Sequence, residues 1–315
     1  MAYVLPTMRA RPSSLFDSLN PATLGIGIAV LGFLLFTMLD TLAKHLSGTY
    51  PIHQIVFFNA LFTMVPVLIL LLSTGGLGQL RNKTMPLLLV RGLTGMTAAL
   101  GGFFAFSMMP LADVYAILFS APLFITALSV PLLKETVGIR RWAAVTVGFV
   151  GVLIMLQPGQ GLFSIGALGA LVGAMGYASS VILARRIGQR ASAGVIAFYA
   201  NLVVMTVMGI WTATDHIVPT AGDLALFATA GLLGGSGLIC VTTAFRALPA
   251  AVVAPFQYTQ MIWAVLFGFL LWGDIPGTHI AVGCAVVIAS GLYILHRETT
   301  LGRPTLRNKG SATVG

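Results

Sequence analysis

A few polar residues stand inside otherwise apolar runs, and chemistry would have to happen there. Asp40 and Lys44 are spaced i, i+4, which puts them on one helical face within pairing reach. Asp40 can take a coupling proton or grip a cationic group. The alternative is an ion pair with Lys44 that anchors a helix at an interface, and the adjacent His45 reads as interfacial. Arg91 stands alone in another apolar run, roughly 10 Å deep at ~1.5 Å of rise per residue. A guanidinium so placed grips a carboxylate or phosphate through parallel N–H donors, or it snorkels to the interface along its own aliphatic stem.

Uncharged candidates form a second group. Asn59 and Asn201 lie near the middle of apolar runs, where a buried amide must bond either a solute or a neighbouring helix. Gln257, Tyr258 and Gln260 interrupt a further run. Tyr115, Phe119 and Pro122 follow one another at i, i+4 and i+7, one face of a helix. An aromatic face with amides opposite suits a planar or amphipathic metabolite, and plain helix packing is the alternative. Tyr177 and Tyr199 are further candidates for a cavity wall. The expected substrate-binding set is Asn59, Arg91, Tyr115, Phe119, Asn201, Gln257 and Tyr258. The expected proton-coupling set is Asp40 and Lys44.

The elements that carry these residues follow from composition. Charged residues are 8% of the 315 and hydrophobic residues 57%. An ordinary globular protein is roughly 25% charged. A chain this apolar uses lipid as its solvent, which excludes a soluble enzyme, a DNA-binding module and a disordered scaffold. A central charge in such a chain costs about 2.5–3.5 kcal/mol on insertion scales, so each is a functional candidate. Ten segments are long and apolar enough to span: 24–46, 51–73, 84–107, 112–133, 142–157, 164–186, 193–213, 221–246, 250–272 and 278–296. The fifth is short and is expected to borrow from its flanks. The first apolar run lacks a following A-x-A site and reads as a retained helix rather than a signal peptide. Cys240 and Cys284 lie inside apolar runs, with no C-x-x-C and no His cluster, so inert packing is expected, with no disulfide and no metal.

The net charge of +9 would suggest nucleic acid in a soluble protein; here it reads as basic cytoplasmic loops, with no nucleic-acid partner. With the N-terminus in the cytoplasm, all 17 Lys and Arg except Lys44 and Arg91 fall on the cytoplasmic side. Asp215, Asp223 and Asp274 then mark the outer loops.

An offset of 139 residues lays Pro110 on Pro249, Ala112 on Ala251, Val114 on Val253, Leu132 on Leu271, Glu135 on Asp274 and Gly138 on Gly277, without a gap. The same shift carries the first five spans onto the last five. Five is odd, so the second copy enters from the opposite face, an inverted-topology repeat typical of secondary transporters. The fold class expected is therefore an all-α polytopic membrane protein of ten helices in a 5+5 inverted repeat. Residues 1–23 and 297–315 are cytoplasmic tails, 24–157 and 164–296 the two repeats, and 158–163 their linker.

The two five-span halves and the Pro-starting fourth and ninth spans carry a resemblance to a known family. So do the acidic turns 134–138 and 273–277, the stretch Met38-Leu39-Asp40-Thr41-Leu42-Ala43-Lys44, and Arg91-Gly92. The chain resembles a ten-helix transporter of the drug/metabolite transporter superfamily, EamA type. The resemblance implies both ends in the cytoplasm, a central cavity, alternating access, and the fifth and tenth helices at the periphery. Its second acidic turn is Gly-Asp where the family more often has Lys/Gly-Glu.

There is no G-x-x-x-x-G-K-[ST] to hold ATP, no H-E-x-x-H, and Gly234-Gly235-Ser236-Gly237 is not a nucleophile elbow. The expected function is secondary active transport of a small organic solute across the cell (inner) membrane, with no enzyme activity and no cofactor. The resemblance permits amino acids, cations, S-adenosylmethionine-like cofactors and vitamins such as riboflavin. Alternatives are a lipid-intermediate flippase, a drug or metabolite efflux pump, or a scaffold that transports nothing. A solid bundle would favour the scaffold. Membrane lipids are expected partners. Gly169 and Gly173 form a GxxxG, and a homodimer through peripheral helices stays open.

Overall fold

The computed structural model describes residues 21–81, 84–134, 137–157 and 164–301. Arg9, Arg11, Lys83, Glu135, the linker 158–163, Arg303, Arg307 and Lys309 lie outside the described residues. Among the described residues the regular elements are helices, in the order α1 (Pro21–Leu46), α2 (Ile52–Ser73), α3 (Met85–Met108), α4 (Leu111–Leu118), α5 (Ala121–Leu133), α6 (Ile139–Leu156), α7 (Ile165–Ile187), α8 (Ala193–Thr214), α9 (Ala221–Ala247), α10 (Ala250–Val253), α11 (Thr259–Trp272) and α12 (Thr278–Leu301). They make ten spans, with α4 and α5 forming the fourth and α10, a 3₁₀ turn and α11 forming the ninth. The short fifth span does borrow from its flank, starting at Ile139 behind Gly138.

Helix ends follow local chemistry. Pro51 and Pro110 sit at N-caps in extended conformations, where a missing N–H costs nothing. Ser164 and Thr220 cap the N–H groups of Ala167 and Asp223 at 3.1 Å each. Gly273 turns the chain out of α11 at φ 72°, a conformation glycine adopts without strain.

The sequence reads the fourth and ninth spans as continuous, and the structure breaks both. In the fourth, Ser120 N bonds Ile117 O at 2.9 Å, a tightened turn, and Pro122 has no N–H to continue the ladder. In the ninth, residues Ala254–Tyr258 form a 3₁₀ turn carrying Pro255. The 139-residue offset carries the break at Phe119-Ser120 onto Tyr258-Thr259. Two different prolines thus interrupt two equivalent helices at one place.

Packing obeys the same symmetry. α3 lies along α7 and α1 along α9, which exchange under the repeat, while α2 pairs with α8 and α6 with α12. The α3–α7 contact is nearly bare backbone: a Cβ on Gly101 would lie 2.6 Å from both Gly169 O and Gly173 N. Its repeat counterpart sets Cys240 of α9 against Gly32 of α1, where a new Cβ would meet Cys240 Cβ at 2.9 Å. The GxxxG of Gly169 and Gly173 is therefore consumed inside the chain, since its groove is filled by α3, and it is not free for a second copy. Cys284 is buried and Cys240 half-buried, both as free thiols.

Alternate loops gather at two faces. One carries Arg81, Lys134, Arg140, Arg141, Arg185, Arg186, Arg190 and Arg246 and is called the basic face; the other carries Asp215 and Asp274 and is called the acidic face.

Candidate functional site

The two helix breaks meet. Phe119 and Tyr258 stack edge to face with ring centroids 5.0 Å apart and planes at 82°. The sequence places these residues near the starts of oppositely directed spans and expects them to reach the cavity from opposite leaflets. They touch instead, because about eight residues of helix carry each some 12 Å inward, and the apolar core is only ~30 Å thick. From this pair a cavity of about 340 Å³ runs between the halves, past Pro122, Thr126, Tyr177, Gln257 and Gly291 to Arg185 and Phe245. The last two are exposed at the basic face, so the cavity opens there. Its wall is mostly apolar with an amide and phenols placed along it, the composition of small-molecule sites.

One turn beyond Phe119, on the far side of the ring pair, lies a buried polar network. The Tyr115 hydroxyl donates to Asp40 Oδ2. It also lies 3.4 Å from Thr37 Oγ1 and accepts from Gln260 Nε2 at 3.3 Å. Tyr115, Thr37 and Gln260 are all buried. A phenol has one proton. While Asp40 is ionised, that proton points at the carboxylate. Once Asp40 carries a proton of its own, the carboxyl can donate to Tyr115, whose proton then turns toward Thr37. The network joins the three helices α1, α4 and α11 at one carboxylate.

The i, i+4 spacing of Asp40 and Lys44 suggests a pair, and the structure gives each another partner. Lys44 Nζ donates to Met109 O at 2.6 Å, lies 3.7 Å from Asp274 Oδ2, and sits 5.1 Å over the Trp272 ring. One helical turn toward the acidic face brings Lys44 level with a carboxylate of the second half, while the phenol already satisfies Asp40. Spacing permits a pair, and the neighbouring helices decide it.

A second cavity, of about 350 Å³, lies between α2, α3, α8 and α9, and holds Asn59, Arg91 and Asn201. The Asn201 amide donates to Ala60 O at 2.8 Å, so part of it joins helices. Asn59 Oδ1 and Arg91 Nε are buried without a partner. Tyr199 is placed elsewhere, donating to Leu80 O at 2.7 Å in a cluster with Leu71, Leu88 and Ile187. Tyr177 lines the first cavity.

The acidic face is closed by links between the halves. The Tyr50 hydroxyl donates to Asp223 at 2.7 Å, and that bond, with burial, raises its phenol above the ordinary tyrosine range. Gln54 pairs twice with the Ile217 backbone, at 2.7 and 2.9 Å. His53 lies 2.7 Å from Asp215 O and stacks on Trp211 with centroids 4.7 Å apart. Sequence reasoning missed this seal and missed the roles of Thr37 and Gln260. The available signal was the crowding of Tyr50, His53 and Gln54 around Pro51 at a helix start.

The sequence pattern of the EamA-like transporter family matches residues 23–157 and again 164–296. The chain is 26% identical to an S-adenosylmethionine uptake transporter of Rickettsia bellii over 282 residues, covering 90% of this chain and 97% of that protein. It is 28% identical to a pseudopaline exporter of Pseudomonas aeruginosa, covering 84% and 94%. It is 31% identical to a riboflavin transporter of Rhizobium johnstonii, covering 69% and 70%. A solved crystal structure shares the fold with a TM-score of 0.61 at 18% identity, over 89% of this chain and 99% of that one. The chain belongs to the EamA-like transporter family.

Proposed function

We propose that this member of the EamA-like transporter family moves a small organic metabolite across the cell (inner) membrane by alternating access, coupled to a proton at Asp40. The observation that carries the reading is the meeting of two helix breaks, at Phe119 and Tyr258, on the wall of a cavity that reaches the basic face. Discontinuous helices near the midplane, one from each inverted repeat, are how secondary transporters hold a solute while the halves rock about it. The linked acidic face and the open basic face correspond to one end of such a cycle. Basic loops favour the cytoplasm, so the open cavity faces inward and both termini are cytoplasmic.

In this reading Phe119, Tyr258, Gln257 and Tyr177 form the solute-binding wall. Tyr115 stands behind it and reports the charge of Asp40 to both broken spans. Lys44 holds the outer seal through Asp274. Asn59, Asn201 and Arg91 contact solute in the second cavity. The similar proteins named as carriers of S-adenosylmethionine and riboflavin, or as exporters of pseudopaline, support a cofactor-, vitamin- or amino-acid-like solute. A cavity-bearing bundle favours transport over a scaffold. The outer faces of α6 and α12 meet lipid, and any self-association falls to such peripheral helices.

The test is uptake into proteoliposomes carrying the purified chain, with labelled S-adenosylmethionine and riboflavin, with and without a pH gradient. Saturable uptake that responds to the gradient in the wild type and not in Asp40→Asn supports the reading. Loss of uptake for every solute, with the protein folded, sinks it.

A further inference from the structure

We propose that the cavity around Arg91 is an anion site, taking a carboxylate or phosphate group together with a neighbouring hydrogen-bond donor on the same ligand; this deepens the transport reading above and rests on it for the ligand being a transported solute. The guanidinium offers five N–H donors. One of them, on Nη1, reaches Ile196 O at 3.5 Å, the outer limit of a hydrogen bond. Nε is buried and unpartnered. Among the described residues Arg91 makes no ion pair; those found there join Lys44 to Asp274 and His53 to Asp215. A charged donor left unmet in a buried site is strongly unfavourable, and a cavity of about 350 Å³ lies against it.

Two further features of the same cavity fit an anion. Ala193, Ile196 and Ala197 line it, so the N-terminal turn of α8 presents the positive end of its dipole there. Asn59 Oδ1 is a buried acceptor without a donor, so it calls for an N–H or O–H on whatever the guanidinium grips. A snorkelling arginine needs neither an orphaned acceptor in the lining of the same cavity nor the first turn of a helix lining it. The volume lies within the ~300–1,000 Å³ of small-molecule sites.

The experiment measures thermal stability of the purified full chain in phosphatidylcholine nanodiscs with matched pairs of compounds. The pairs are riboflavin 5′-phosphate against riboflavin, and S-adenosylmethionine against its methyl ester, with inorganic phosphate as a further probe. The anionic member of a pair should bind about tenfold to a hundredfold more tightly, the worth of one charge-assisted hydrogen bond or two. Arg91→Gln should erase that preference. If Arg91→Gln does not fold, Arg91→Lys keeps the charge and loses the fork, and should weaken the preference by about tenfold. Asn59→Asp supplies an internal counter-ion, so it should abolish anion binding while the protein stays at least as stable. Phosphatidylglycerol nanodiscs form the second arm. Stabilisation there that needs Arg91 and that free anions do not add to identifies a lipid headgroup as the source of the anion. Equal binding of neutral and anionic members, no stabilisation by any anion, or an anion preference that survives in Asn59→Asp overturns the proposal. Arg91-dependent anion binding without uptake of any solute keeps the anion site and removes the transport reading instead.

Discussion

The fourth and ninth spans are one device built twice, but they differ in what they carry. Each starts at a proline, each breaks after about eight residues, and each presents a ring at the break, Phe119 and Tyr258. Around those rings the chemistry is one-sided. Asp40, Lys44, Arg91 and Asp113 all sit within spans of the first half. The 139-residue offset sends Asp40 to Ser179, Lys44 to Leu183, Arg91 to Ala230 and Tyr115 to Ala254, none of them charged. The second half answers with amides, Gln257 and Gln260. The two halves thus share the geometry of the breaks but not the charges carried deep in the first half.

The largest effect should come from removing the one-sided charge. Asp40→Asn keeps the shape of the network but takes away its titrating group, so the dependence of uptake on pH should flatten. Concentrative uptake should fall by about tenfold or more, the factor that one lost hydrogen bond to a charged group implies. Asp40 is faced by Tyr115 from α4, with Lys44 one turn along its own helix. An unchanged pH profile of initial uptake rates in Asp40→Asn would place the coupling group elsewhere and end the one-sided account.

The next test concerns the symmetric scaffold. Gly101→Ala drives a Cβ to 2.6 Å from backbone atoms of Gly169 and Gly173, whereas Gly32→Ala meets the side chains of Val241 and Cys240 first and the Gly237 carbonyl only at 3.1 Å. Overpacking typically costs about 1–3 kcal/mol, and backbone cannot swing aside as a side chain can. Gly101→Ala should therefore lower the unfolding temperature more than Gly32→Ala, measured on purified protein with and without ligand. Equal losses would mean that the two interfaces are equivalent in stiffness as well as in place.

Smaller effects should follow from the shared rings. Phe119→Ala and Tyr258→Ala each remove an edge-to-face contact worth about 0.5–1.5 kcal/mol beyond area. Solute affinity should weaken severalfold in both, with the pH profile intact, as read from initial uptake rates at several pH values. A change in pH profile in Phe119→Ala alone would show that the ring insulates the Asp40 network as well as touching solute.

The smallest effect belongs to the seal at the acidic face. Tyr50→Phe removes the bond to Asp223 and should modestly raise labelling of a cysteine placed at Ser47. The link needs the phenol proton. Since the bond raises Tyr50 above its ordinary value, the link persists through the usual tyrosine range and is lost only as pH rises beyond it. Wild-type labelling should accordingly stay flat from neutral to mildly alkaline pH. A rise near neutrality would show that the seal does not depend on the Tyr50 phenol.

Much of this was open to reading in the chain. Span number, span ends within a few residues and the inverted repeat depend on apolar length and on local signals such as Pro110 and Gly273. The polar residues worth watching were also visible, because lipid tolerates few. The breaks in the fourth and ninth spans were hidden. Pro122 and Pro255 are not equivalent under the repeat, so no shared motif marks the shared break. Gln260 was visible as a polar residue, but its place against Tyr115 depends on how α11 crosses α4.

Ten membrane crossings in two inverted halves can be read from the residues alone, since hydropathy and caps act within one helix or one turn. The partners of the polar side chains were set by packing between helices. Asp40 took Tyr115 in place of Lys44, Lys44 took Asp274, Phe119 met Tyr258, and Arg91 was left facing a cavity with its Nε unpartnered. The reason is one of range. Hydrogen bonds and ring contacts act over a few ångströms between helices that are distant in sequence, so their choice waits until crossing depth and rotation are set by packing.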